Sequence, residues 1–132
     1  MRIARHLIDE MVAHAREELP NECCGMVGGS DGEATGVIRV ENSAASPLRF
    51  EMDPQGQYDA LKQIEDGGGE LLAIYHSHTK SAAYPSQTDV NQAVNWPDAI
   101  YVIVSLQDPD APEVRAYWLK DLSIGDAELV IE

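Results

Sequence analysis

Five consecutive apolar residues, Leu71-Leu72-Ala73-Ile74-Tyr75, run directly into His76-Ser77-His78, and this junction restricts the fold more than any other stretch of the chain. The run has the length and composition of a strand buried on both faces. Side chains alternate along a strand, so His76 and His78 emerge on one face and Ser77 on the other. Two imidazoles are thereby delivered together to the end of a buried strand. Beyond a short loop, Ser86-Gln87-Thr88-Asp89 fits a helix start in which Ser caps the first turn and the acid complements the N-terminal dipole. Capping alone accounts for Ser86 and Asp89. A carboxylate on a capped first turn is also held rigidly, and with His76 and His78 it completes the three-ligand set of a catalytic zinc site, whose fourth position is left to water. An isolated His-x-His pair is more often a plain surface feature; the added Asp89 shifts the reading toward metal.

The remainder reads as one α/β domain over residues 1–132, without repeats or linkers. Leu7, Ile8, Met11, Val12, Ala15 and Leu19 share one helical face, and Pro20 ends that helix. A strand is expected from Cys23 to Val27, turned by Gly28-Gly29-Ser30-Asp31-Gly32 into another over Thr35 to Glu41. Leu48 to Met52 is expected to be extended. Tyr58, Leu61 and Ile64 recur at helical spacing until Gly67-Gly68-Gly69. A loop over Thr79 to Pro85 leads to a helix from Thr88 to Asn95, stopped before Pro97. Ile100 to Leu106 and Val114 to Lys120 read as strands joined at Asp108-Pro109-Asp110, with a last strand near Leu129 to Ile131.

Composition excludes several functions. The net charge of -14 opposes nucleic-acid binding, which needs a basic surface. No apolar run approaches the roughly 20 residues that span a bilayer, and none suits a signal peptide, so neither membrane nor export is expected and the location reads as cytoplasmic. Cys23 and Cys24 are adjacent, offer no disulfide framework, and read as small buried strand residues of a reducing compartment. His6 and His14 belong to the first helix in surface or packing roles, and Trp96, Tyr101 and Trp118 to the core or its rim.

The spacing of His76, His78, Ser86 and Asp89, with Pro20-Asn21-Glu22-Cys23-Cys24-Gly25 upstream, resembles the JAMM metalloprotease family. Tyr75 to Thr79, Ala83 to Ser86, Thr88 to Val90 and the segment Asn42 to Asp53 are similar to its bacterial Mec-type branch. The resemblance runs from about Leu7 to Trp118. It implies a curved mixed β-sheet flanked by helices, a cytidine-deaminase-like α/β arrangement. It also implies one zinc per chain, held by His76, His78 and Asp89, with a bound catalytic water.

In that likeness Glu22 matches the catalytic Glu, the proton carrier between water and leaving amine, and Ser86 matches a donor to the tetrahedral oxyanion. Capping stays open as the competing role of Ser86, and Tyr84-Pro85 either shapes the mouth of the cleft or stiffens its loop. The branch implies a peptidase that acts after the C-terminal Gly-Gly of a ubiquitin-like sulfur-carrier protein and releases cysteine, as part of cysteine synthesis. A broader isopeptidase removing ubiquitin-like modifiers from lysines is the alternative, and a non-catalytic MPN-like scaffold a weaker one, since every motif residue is present. Oligomeric state is not specified by the sequence.

Overall fold

Leu7, Ile8, Met11 and Ala15 are buried along one side of the first helix, so its apolar stripe packs as the spacing requires. The computed structural model describes residues 1–132. In chain order these form β1 (Arg2–Ile3), α1 (Arg5–Glu17), β2 (Cys24–Ser30), β3 (Glu33–Val40), α2 (Pro54–Asp66) and β4 (Glu70–His78). They continue as α3 (Gln87–Gln92), a 3-10 turn (Ala93–Asn95), β5 (Ile100–Ser105), β6 (Glu113–Trp118), β7 (Gly125–Asp126) and β8 (Val130–Ile131). The strands make one mixed sheet in the order β7-β6-β5-β4-β2-β3-β1-β8. β4 is central, antiparallel to β2 and parallel to β5.

Alternation along the central strands divides the core into two layers. Ala73 and Tyr75 of β4 join Cys23, Val27, Val102 and Val104 on the side covered by α1. Ile74 joins Cys24, Met26, Tyr101 and Ile103 on the other side, with Ala60 and Ile64 of α2 and Val90 of α3. The His76 and His78 side chains follow Ile74 by the same period, which directs them toward α3. No helix is long and apolar enough to cross a membrane.

Three expectations are corrected, and two short strands are added. Gly28 to Ser30 continue β2 rather than turning, and only Asp31-Gly32 reverse the chain. A Cβ at Gly28 would meet the Ile64 side chain at 2.7 Å, and one at Gly29 would meet the Glu33 carbonyl oxygen at 2.0 Å. These glycines therefore serve close packing inside a bulged strand. Leu48 to Met52 contribute only an isolated bridge between Met52 and Asn42, the rest of the loop being held by side chains and by a backbone bond from Glu22 N–H to the Ser46 carbonyl at 2.9 Å. Helix α2 starts at Pro54, where Asp53 caps it by accepting from Gly56 N–H at 2.8 Å, and it buries Ala60 and Ile64 while Tyr58 is 62% exposed. The two-residue strands β1 and β7 have no periodic signal, being too short to alternate.

His14 lies within the α1 layer, 2.7 Å from the Tyr75 hydroxyl through Nδ1. Burial, reinforced by the Arg39 guanidinium and opposed by Glu17, lowers its pKa from 6.5 to about 4. Between those values the unfolded chain binds a proton that the folded one refuses, so this contribution to stability is complete above pH 6.5 and is lost as pH falls toward 4. The expected loss is on the order of 3 kcal/mol by pH 4. Urea unfolding of wild type and His14→Gln at pH 7 and pH 4.5 checks this: the variant should be less acid-sensitive, and equal sensitivity would assign the acid loss to other groups.

Candidate metal centre

Three buried acceptors converge where β4 meets the first turn of α3. His78 Nε2 lies 3.0 Å from Asp89 Oδ2, His76 Nε2 lies 3.1 Å from the same oxygen, and the two ring nitrogens are 3.2 Å apart. All three residues are buried. The structure thus brings together the two histidines of one strand and the aspartate eleven residues beyond His78.

The tautomer of His78 bears on what these atoms can hold. Its Nδ1 lies 2.8 Å from the Ala82 carbonyl oxygen, so the ring proton of the neutral imidazole sits on Nδ1 and Nε2 offers a lone pair. That lone pair faces a carboxylate oxygen and a second imidazole nitrogen, an arrangement that can hold a cation at its centre. A tetrahedral ion with bonds of about 2.0 Å needs donor separations of about 3.3 Å, close to those measured. The residues therefore fit zinc. Although burial alone lowers the His78 pKa, the hydrogen bond to Asp89 and the Ala82 carbonyl raise it. Burial would raise Asp89, but His76, His78 and the Ser86 N–H hold its carboxyl well below the usual range.

Each member is positioned by local structure. Ser86 N–H donates to Asp89 Oδ2 at 2.9 Å and Asp89 N–H donates to Ser86 Oγ at 3.1 Å, a reciprocal capping box. The box uses a lone pair of the Ser86 hydroxyl and leaves its proton free, so capping and donation to substrate are compatible. The loop carrying Ala82 is pinned at three successive carbonyls: Ser105 Oγ donates to Ser81 at 2.6 Å, His78 to Ala82 at 2.8 Å, and Tyr117 Oη to Ala83. Ser77 faces the opposite layer, where its Oγ accepts from Cys23 N–H at 2.8 Å.

Glu22 reaches the centre through sheet register. Cys24 pairs with His76, and Ser77 N–H donates to the Cys23 carbonyl at 3.1 Å, so Glu22 follows beside His78. It is 3% exposed, and its Oε1 has no hydrogen-bond partner. Burial pushes its pKa up to about 8, with His78 lowering and Asp89 raising it. Burial thus moves this carboxyl from the acid range toward the neutral range, where a group can both accept and return a proton.

Asn42 and Phe50 lie in the segment that resembles the Mec-type branch, outside the zinc motif, and the sequence assigns neither a role. Asn42 Nδ2 donates to the Glu22 carbonyl at 3.0 Å and to the Arg49 carbonyl at 3.2 Å. Its Oδ1 accepts from Ala44 N–H at 3.1 Å and Glu51 N–H at 2.9 Å. All four hydrogen-bonding positions of one amide are thus used to fold the 42–52 loop against Glu22. That loop presents Phe50, whose ring stacks on His76 with centroids 4.5 Å apart. An amide after a strand has no periodic signature, so only the likeness of the Asn42 to Asp53 segment pointed here.

Other histidines and cysteines stay outside the centre. His6 is exposed and His14 packs against Tyr75. Cys23 and Cys24 are buried free thiols, both with pKa raised chiefly by burial.

Residues 4–120 match the family model for prokaryotic homologs of the JAB domain. The CysO-cysteine peptidase of Mycobacterium tuberculosis is 40% identical over 126 residues, covering 94% of this chain and 86% of that one. The desampylase of Haloferax volcanii is 37% identical over 120 residues, covering 86% of this chain and 84% of that one. A protein of Desulfitobacterium hafniense, solved in solution, superposes with a TM-score of 0.90 at 34% identity and covers 100% of this chain and 93% of that one.

Proposed function

This chain belongs to the family of prokaryotic JAB-domain proteins, and from that premise we propose that it is a zinc-dependent peptidase that cuts the amide after the C-terminal Gly-Gly of a ubiquitin-like sulfur-carrier protein and releases cysteine. The observation that carries the reading is the convergence of His76, His78 and Asp89 on one point beside Glu22, whose buried Oε1 has no partner. The similarity to a CysO-cysteine peptidase over 94% of the chain supports the choice of leaving group. A cytoplasmic setting and a role in cysteine synthesis accompany that choice.

In this mechanism His76, His78 and Asp89 would hold the ion, one per chain. When bound, zinc supplies an acidified water, with pKa near 7, and a Lewis acid for the scissile carbonyl. Glu22 accepts a proton from the attacking water and returns it to the amine as the carbon–nitrogen bond breaks. The products are a Gly carboxylate and free cysteine. Ser86 O–H donates to the oxyanion that forms on the carbonyl, a contact of a kind worth roughly 10²- to 10³-fold. The Ala82 carbonyl fixes the His78 tautomer, and Phe50 covers one face of His76.

A second reading, removal of ubiquitin-like modifiers from lysines, is favoured by the similarity to a desampylase. Incubation of the zinc-loaded protein with a carrier ending in Gly-Gly-Cys and with a lysine-linked conjugate, both followed by mass spectrometry, separates the two. Faster cysteine release is expected from the folded carrier than from a short Gly-Gly-Cys peptide, because contacts remote from the scissile bond position the tail. Preference for the lysine conjugate would establish the second reading instead.

A further inference from the structure

A cavity of about 400 Å³ adjoins the metal centre and takes no part in the steps above. Ile74 and Tyr101, paired across β4 and β5, are on its floor. Phe50, stacked on His76, is the wall it shares with the centre. Trp96, at the end of the 3-10 turn, lines it from the α3 side, and the exposed Glu51 also lines it.

The spacing between centre and cavity matches an extended tail. Ile74 precedes His76 by two residues on the same face, which sets the floor about 7 Å along the strand from the metal-facing ring. An extended peptide advances about 3.3 Å per residue. With the scissile carbonyl at the centre, a Gly-Gly pair spans that distance without filling any of the cavity. The residue before the pair is the first whose side chain reaches the floor. The leaving cysteine, a single residue, does not extend that far.

Resting on the peptidase reading, we propose that this cavity is the subsite for the side chain immediately preceding Gly-Gly, and that it selects an apolar side chain over an acidic one. Ile74, Tyr101, Phe50, Met52 and Trp96 provide the apolar walls and Gln57, Gln92 and Asn95 a neutral rim, whereas Glu51 and a chain of net charge -14 repel a carboxylate. Apolar walls discriminate among side chains by roughly 10- to 200-fold.

Trp96 and Trp118 are the two tryptophans, and Trp118 is 41% exposed on β6, so Trp118→Phe leaves Trp96 as a reporter inside the cavity. Zinc-loaded Trp118→Phe is titrated with acetyl-Val-Leu-Gly-Gly and acetyl-Val-Asp-Gly-Gly, uncleavable peptides with the product carboxylate. The leucine peptide should shift Trp96 emission saturably, and the aspartate peptide should bind at least ten-fold more weakly. Gln92→Phe, which fills the cavity from α3, should weaken the leucine peptide at least ten-fold. In carrier–cysteine adducts, the same leucine-to-aspartate change should lower kcat/KM ten-fold or more through KM. Equal affinity for the two peptides, an unmoved Trp96 emission, or indifference to Gln92→Phe would overturn the subsite. Leucine-selective binding without cleavage of any adduct would uphold the subsite and end the peptidase reading, whereas equal cleavage of both adducts would do the reverse.

Discussion

Replacement of His76 and His78 together by Ala is expected to abolish metal content and turnover in one step. The three acceptors lie 3.0 to 3.2 Å apart, and removing two of them leaves Asp89 as the sole donor of a set that needs three. Wild-type protein should carry one zinc per chain by elemental analysis. The double variant should carry less than a tenth of that while circular dichroism at neutral pH shows the fold intact. Cys23→Ala should keep its zinc, since that thiol is buried with its pKa pushed up to about 12, chiefly by burial. Full zinc content in the double histidine variant would move the metal elsewhere in the molecule.

The second large effect separates chemistry from binding. Glu22→Gln preserves side-chain size and removes the proton-accepting carboxylate, so turnover should fall by about two orders of magnitude or more while zinc stays bound. The effect should appear in kcat rather than KM, because Glu22 acts on the proton and is not among the three acceptors. Zinc content and KM measured beside kcat decide the point. An active Glu22→Gln enzyme would place the proton transfer on another group.

These two variants test residues that the sequence made visible, and the reason lies in local periodicity. His76 and His78 are two apart on a strand that its apolar run announces, and Asp89 is three residues after the Ser that caps its helix, so each reaches the centre through one regular element. Fold legibility followed the same rule: α1 and the apolar strands β4 and β5 have clear patterns, and their burial follows them. Glu22 was legible only through family likeness, since its approach to His78 depends on the register of β2 against β4. Asn42 and Phe50 act from a loop ordered by side-chain hydrogen bonds, for which period carries no information. Gly28 and Gly29 were misread as a turn because glycine composition does not distinguish conformational freedom from the need to admit Ile64 and the Glu33 carbonyl.

The loop between β4 and α3 has all three carbonyls of residues 81 to 83 fastened inward, by Ser105, His78 and Tyr117. Its side chains at Lys80, Ser81 and Tyr84 remain exposed. At Lys80 and Ser81 backbone anchoring and side-chain identity are therefore uncoupled, whereas the Tyr84 ring packs edge-on against Tyr117, one of the anchors. Mutation can change the size and charge of those first two positions without altering the carbonyl that fixes His78, so they can diversify through generations, or in a laboratory library, while the chemistry beneath them is inherited unchanged.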